Sequence, residues 1–534
     1  MEIDNNNDMT LIWCLAIFGL SAIGSKFTNY FFQIIKDPKF QISIALGIGI
    51  ILSIASYFGL QKFERYRISK KQEASILGFE NDAVFCGSTT DSQDVFIKTR
   101  QRAMHTQVIG TTNAGKTESV ILPWAIQDII AGRGLILIDG KADRSLLDKL
   151  WAYTVKAGRQ KDFRLFSLSN IESSDQFNPL IGGTPEEITE RVFNAFEFEN
   201  PHYRNLQYEV FAQVMRIFTS AKIPPTFQRL HQAISDPQYL KLLAHNSSSQ
   251  EYNEWIQNFS SLPLNDRLNR TSGLTTALSH FAFGETAQLF NSERPAITLD
   301  KALTENLIVY FQLPVLLSPF LGKATGKLVL QSLQASVANR HRGNIEKSKF
   351  FSVFLDDFSE YLYPGFVTIL NKSRSANVGI VFAHQALGDI KALGDAVANS
   401  VLTNANLKVF MRGNDPDSAE YFSSVIGTVK AMKYTERAKK GFIKSETTGD
   451  QSLREVDEFI IHPNKFKKDL GVGEGIMIVP HERGSLTAQV RFQKWEDLPS
   501  VPLEKTERKV ALPLKLNRPS EKSKPQTRSQ KEIT

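Results

Sequence analysis

Two apolar runs without a single charge open the chain, at 10–24 and 42–60. The second reaches the roughly 20 residues that a bilayer helix needs, and the first does so by borrowing Met9 or Phe27. Two membrane spans are therefore expected, at about 9–27 and 41–60. A signal peptide is the bland reading of the first run, but Glu2, Asp4 and Asp8 precede it without any Lys or Arg, the wrong sign for such a leader. Lys62, Arg65, Arg67, Lys70 and Lys71 follow the second run, against Lys26, Lys36 and Lys39 between the runs. The positive-inside rule then places the long remainder in the cytosol.

From about residue 80 short β-rich runs alternate with helical stretches, which predicts a mostly parallel sheet covered on both faces. Strands are expected at 106–109, 135–138, 164–167, 307–313, 350–355, 378–382, 407–411 and 476–479. Their interiors are almost continuously apolar, as doubly buried strands require. Between 184 and 273 the alternation stops: Leu206, Val210, Val214 and Ile217 recur at helical spacing, and Pro224-Pro225 interrupts them. This predicts an all-α domain inserted into an α/β domain. The expected organisation is an anchor at 1–72, the α/β domain at 73–183 and 274–500, the helical insertion at 184–273, and a basic disordered tail at 501–534. The tail reads equally as a solvated terminus or as a docking arm for DNA or a partner.

Composition changes little in this picture. The chain has 534 residues, 22% of them charged and 42% apolar, as in folded proteins. Its formal net charge of +7 favours a nucleic acid or an anionic membrane face. With only two cysteines, Cys14 and Cys86, neither a disulfide framework nor a Cys-based zinc site is readable.

Candidate chemistry begins at Gly110-Thr111-Thr112-Asn113-Ala114-Gly115-Lys116-Thr117, which fits G-x-x-x-x-G-K-[ST] between an apolar strand and a helix start. Backbone amides of such a loop curl around phosphates, Lys116 reaches the β and γ oxygens, and Thr117 ligates Mg²⁺. The ligand expected is ATP with Mg²⁺, on a P-loop, RecA-like sheet. Asn113 stands where many such loops carry glycine, and it tolerates positive φ. The run from Phe350 to Asp357 supplies a second element: Asp356 at a strand end as the metal partner and Asp357 as the base or water-orienting carboxylate. Most such ATPases have Glu there, one methylene longer. After the next strand, Gln385 rather than His384 is the expected γ-phosphate sensor. Arg374 reads equally as a surface charge at a helix end or as an arginine that stabilises the transferring phosphate across a subunit boundary. Asp139 and Lys141 fit either a ligand-binding strand end or an ordinary Asx turn.

The order of these motifs resembles the type IV secretion coupling proteins, the TraD/TraG-type ATPases of the FtsK/HerA group. The matching stretches run from His105 into the P-loop and include Leu137 to Asp143, Phe177-Asn178-Pro179-Leu180, Val309 to Pro314, Leu355-Asp356-Asp357, and Arg374 followed at a fixed interval by Gln385. Asp139-Gly140-Lys141-Ala142-Asp143 resembles the Dot/Icm and IncI-type branch. The resemblance implies a homohexameric ring with a two-pass anchor in the bacterial inner membrane and its ATPase domain in the cytoplasm. It further implies contact with inner-membrane secretion components and a helical insertion that helps recognise substrate. By the same carry-over Lys116, Thr117, Asp356, Asp357 and Gln385 take the roles above, and Arg374 takes the catalytic one. Two departures stand out: Asp357 replaces Glu, and Met104 precedes His105 where some members carry arginine, with Arg100 and Arg102 as the nearest substitutes. The long C-terminal extension that some relatives use for adaptors is not expected here.

The function expected is an ATP-driven motor that moves relaxase-bound single-stranded DNA, effector proteins or both into a secretion channel. No base-reading motif is legible, so DNA binding is expected to be sequence-independent and salt-sensitive. A translocase of the FtsK/HerA type outside conjugation is one alternative, although the stretch beyond Trp495 is too short and polar for the winged-helix reader such motors often carry. A nucleotide-gated docking platform with weak or no hydrolysis is the other, and Asp357 is the feature that favours it.

Overall fold

The computed structural model describes residues 52–58, 82–198, 200–245, 250–343, 349–440, 445–482 and 484–503. The chain divides into two units, Met1–Phe79 and Glu80–Thr534. Of the two expected spans, the one at 9–27 lies outside the described residues, and only 52–58 of the other are described, as exposed helix. Among the described residues no helix is long and apolar enough to cross a membrane.

Glu80–Thr534 is built on an eleven-stranded sheet. Its strands are β1 (Ala83–Thr89), β2 (Asp94–Lys98), β3 (Thr106–Ile109), β4 (Gly134–Asp139), β5 (Phe163–Ser167), β6 (Ile308–Gln312), β7 (Phe351–Asp356), β8 (Val378–His384), β9 (Leu407–Met411), β12 (Glu474–His481) and β13 (Gly484–Phe492), with β10 (Thr428–Lys440) and β11 (Ser445–Phe459) forming a separate ribbon. The spatial order is β2-β1-β13-β12-β9-β3-β8-β7-β4-β6-β5. From β9 to β5 every neighbouring pair is parallel, and from β9 to β2 every pair is antiparallel.

The parallel strands are apolar throughout because each face has its own cover. Ile136 and Ile138 of β4 join one apolar core with Val353, Leu355, Ile380 and Phe382. Leu135 and Leu137, alternating with them, join a second core with Phe354, Val381 and Trp124. Helices Leu122–Ile130 and Arg144–Lys156 contribute to the second core, and helices Pro319–His341 and Phe366–Ser373 to the first.

Between β5 and β6 the described residues form helices and no strand, from Pro185–Ala195 to Leu299–Glu305, so the helical stretch continues well past 273. Thr184 and Glu187 close the first of these with a capping box, and Pro185 occupies its first turn, the usual chemistry for a firm helix start. Phe211, Phe227 and Phe281 from these helices share one apolar core with Phe166 and Phe311 of the sheet. The insertion is thus welded to a sheet face rather than folded around a core of its own. At the other end, Leu498, Val501 and Leu503 pack against the second core, with Tyr153 donating to the Glu496 carbonyl.

β1, β2, β13 and the β10–β11 ribbon were not expected from the pattern. β13 is exposed over most of its length, and the described flanks of the ribbon carry Lys430–Glu455 and Lys433–Glu458 ion pairs beside an exposed Val429 and Met432. Exposed strands of this kind leave no continuous apolar run to find, whereas β1 buries Val84, Phe85 and Cys86.

Candidate nucleotide site

Register places the chemistry on one edge of the sheet. β3 ends with Ile109 beside His384 of β8 and Phe410 of β9, and β4 ends with Asp139 beside Asp356 of β7. The residues just after these ends therefore converge, as they do at the ligand edge of open α/β sheets.

The loop Gly110 to Thr117 leaves β3 and enters a π-helical turn, Thr117–Ile121, that continues into helix Leu122–Ile130. Asn113 sits at φ 64° and Gly115 at φ 98°. At Gly115 the space is also closed, since an added Cβ would stand 3.0 Å from Ser119 Oγ and 3.2 Å from the Gly473 nitrogen. The loop is tied from outside by Thr111 N donating to the Arg412 carbonyl at 2.9 Å and Gly473 N donating to the Ala114 carbonyl at 3.0 Å. Lys116 Nζ donates to the carbonyls of Gly110 at 2.6 Å and Thr111 at 3.2 Å. Burial pulls its ammonium below the usual lysine range, against the opposing pull of Asp356 and Asp357.

Thr117 Oγ1 donates to Asp356 Oδ2 at 2.6 Å. Burial, then repulsion from Asp357, pushes the Asp356 carboxyl up to about 6. One hydroxyl and one carboxylate make a donor set suited to Mg²⁺ shared with phosphate oxygens, not to an all-protein cage. Among the described residues no cluster of three or more His, Cys, Asp or Glu side chains is placed to hold a metal. Asp357 follows in the left-handed region at φ 48°, with its Oδ2 2.8 Å from Lys141 Nζ.

Gln385 reaches the loop through Thr112, whose hydroxyl donates to its Oε1 at 3.3 Å. His384 does not take part: it is buried, its Nδ1 donates to the Ala386 carbonyl at 2.8 Å, and its Nε2 meets Gln107 Nε2 at 3.0 Å. Burial brings its pKa down to about 4.

Arg374 is the expected residue that the fold does not bring here. It is exposed and lies before β8 begins, on the side of His105, whereas the loop follows the other end of the strands. A strand of this length separates those edges by about 20 Å, so Arg374 does not reach its own chain's loop. Arg102 is committed elsewhere, paired to buried Asp128 at 2.7 and 2.6 Å, and exposed Arg100 meets Glu482 at 3.4 Å. Neither stands in for an arginine at position 104.

Asp139 holds an Asx turn, one of the two arrangements its sequence allowed, accepting from the amides of Lys141, Ala142 and Asp143 at 2.9, 3.1 and 2.6 Å and from Tyr310 at 2.9 Å. Three features have no clear mark in the sequence, and the first is that Lys141 leaves this turn to meet Asp357. A buried polar line, Lys408–Gln107–His384, crosses three neighbouring strands under the loop. A lone lysine inside Leu407-Lys408-Val409-Phe410-Met411 was its signal. The third is the Arg102–Asp128 pair.

Comparison with known proteins follows the same lines. Residues 351–468 match the family model described as the TraM recognition site of TraD and TraG. Over 395 residues the chain is 22% identical to the type 4 coupling protein DotL of Legionella pneumophila, covering 62% of this chain and 50% of that protein.

The chain is similar to the type IV secretion coupling proteins.

The chain spans about half the length of the curated coupling protein that it matches. Its fold is that of the conjugative coupling protein TrwB: an unbound form is 11% identical with a TM-score of 0.55, covering 77% of this chain and 90% of that one. A TrwB complex with ADP and Mg²⁺ is 12% identical with a TM-score of 0.53, over 74% and 87%. VirB4 of Thermoanaerobacter pseudethanolicus is 12% identical with a TM-score of 0.50, over 78% and 98%. These structural likenesses concern the fold.

Proposed function

We propose that this chain is a membrane-anchored ATPase that binds Mg²⁺-ATP on the edge described above and drives DNA, protein or both into a type IV secretion channel. The observation that carries it is the 2.6 Å bond between Thr117 and Asp356, which joins a phosphate-binding loop to a buried strand-end carboxylate. Bound Mg²⁺ would supply charge neutralisation for the transferring phosphoryl group. Lys116 and the loop amides bind the phosphates. Thr117 and Asp356 hold the metal, and Asp357 orients the attacking water and takes its proton. Gln385, linked to Thr112, senses the terminal phosphate. Arg374 acts across a boundary between subunits of a homohexamer, because within one chain it lies on the wrong edge.

The anchor belongs to the two apolar runs at 9–27 and 41–60, and the net charge of +7 suits single-stranded DNA held by its backbone. Relaxase, effector and adaptor recognition is assigned to the helices between β5 and β6 and to the family-matched region 351–468, where the β10–β11 ribbon stands apart from the main sheet. The second reading, a docking platform with little hydrolysis, keeps its support in the short Asp357 carboxylate. Binding of a fluorescent ADP with and without Mg²⁺ tests the site. Mg²⁺ should tighten binding in the full chain and lose that effect in Asp356→Asn; binding indifferent to Mg²⁺ in both contradicts the assignment.

A further inference from the structure

Lys141 belongs to the turn whose two sequence readings stood level, and its position in the fold separates them. The turn is unusually well fixed. Asp139, 1% exposed, binds three successive backbone amides with its two carboxylate oxygens and takes a fourth bond from Tyr310. Ala142 is held at φ 59°, and Asp143 caps helix Arg144–Lys156 by accepting from Ser145 N at 2.8 Å. That much structure holds the backbone of one lysine. Its Nζ stands 2.8 Å from Asp357 Oδ2, and Gly140 lies over the same residue, its missing Cβ 3.6 Å from Asp357 Cβ.

Asp357 needs such a partner. It is 6% exposed, left-handed at φ 48°, and next to a second buried carboxylate that repels it. Among the described residues Lys141 alone makes an ion pair with either carboxylate, since Lys116 is bonded to loop carbonyls.

We propose that Lys141 is a positioning residue that holds the short Asp357 carboxylate in the phosphate site, an inference that rests on the ATPase reading above. Oδ2 is buried and, apart from the Lys141 charge 2.8 Å away, has no hydrogen-bond partner among the described residues, so Oδ1 is the oxygen left to orient water. In hydrolysis the water oxygen bonds to the terminal phosphorus as the bond to the departing ADP oxygen breaks, and one water proton passes to Oδ1. Lys141 itself exchanges no proton.

The test uses the full chain with Lys141→Met, Lys141→Arg, Asp357→Asn and the double variant Lys141→Met/Asp357→Asn. Lys141→Met should lower kcat about 10- to 100-fold, the usual cost of losing an orienting partner. KM for ATP and affinity for a fluorescent ADP should change less than about threefold. Lys141→Arg should recover most of the rate, and the double variant should be no slower than Asp357→Asn. Without nucleotide, Lys141→Met should lower the melting temperature by about 1–2 °C in the wild-type background and not in the Asp357→Asn background. An unchanged kcat, additive losses, a parallel loss of ADP affinity, or equal thermal shifts in both backgrounds would overturn the proposal. If the parent chain turns over no faster than Lys116→Ala, the ATPase reading falls and takes the positioning role with it. The thermal cycle still reports on the ion pair in that case, so the two failures are distinguishable.

Discussion

A buried carboxylate lies at each end of strand β7, Asp128 of helix Leu122–Ile130 against its start and Asp356 at its finish, and they live in opposite surroundings. Near its start Ser352 touches Asp128, which is chelated by Arg102 at 2.7 and 2.6 Å, by Arg133 at 3.1 Å and by Ser352 at 2.6 Å. Burial alone would raise the Asp128 pKa, but Arg102 and Arg133 hold it below the usual range. At its finish Asp356 has one hydroxyl bond from Thr117, a carboxylate for a neighbour, and a pKa pushed up to about 6. A buried carboxylate whose bonding capacity is filled by arginines is a fastener. One left short of positive charge has room for a cation, and Mg²⁺ with phosphate is the partner its neighbours suit.

Removing charge at each end should therefore do different things. Arg102→Met leaves Asp128 buried beside Arg133 alone and is expected to cost about 3–5 kcal/mol of stability, measured as a shift in denaturant midpoint. A cost under about 1 kcal/mol would erase the contrast. Asp356→Asn should leave the midpoint unchanged or raise it, while cutting ATP turnover about 10³-fold, near 4 kcal/mol.

The histidines at the two ends are alike, and this sharpens the comparison. His105 and His384 are both buried, and burial lowers each to about 4. Their folded pKa lies below the unfolded value of about 6.5, so their contribution is present above that pH and is lost as pH falls towards 4. The loss is roughly 3 kcal/mol for each histidine. Asp356 works in the opposite sense, retaining a proton in the folded chain up to about pH 6. Midpoints measured from pH 7 to pH 4 should then fall more steeply in Asp356→Asn than in the parent chain. The smallest expected effect is at Asp357, where Asp357→Glu restores a methylene and should raise turnover by no more than about tenfold, or 1.4 kcal/mol. No change in rate would favour the docking reading.

What was legible in the chain is what is local. The loop 110–117 declares itself within eight residues, Asp356 closes an apolar strand, and Gln385 follows the next one, so a parallel sheet with aligned ends places them together. The Lys141–Asp357 pair depends on β4 lying beside β7, a neighbour relation that joins segments more than 200 residues apart and has no spacing signature. Arg102 looked free in the sequence because its partner, Asp128, sits in a helix with no pattern to mark it. β13 and the ribbon were silent for a different reason: their exposed faces carry no apolar period. Helical spacing identified the region after 184 but not its far limit, because its helices bury their apolar faces against the sheet as well as against each other.

The most direct test of the central claim is steady-state ATP hydrolysis by the full chain in mild detergent, with and without single-stranded DNA, against Lys116→Ala. Turnover that DNA stimulates, that vanishes in the lysine variant and that fades with added salt is the result predicted for a DNA-driven motor. Nucleotide binding without turnover above that variant, in the presence or absence of DNA, would contradict it.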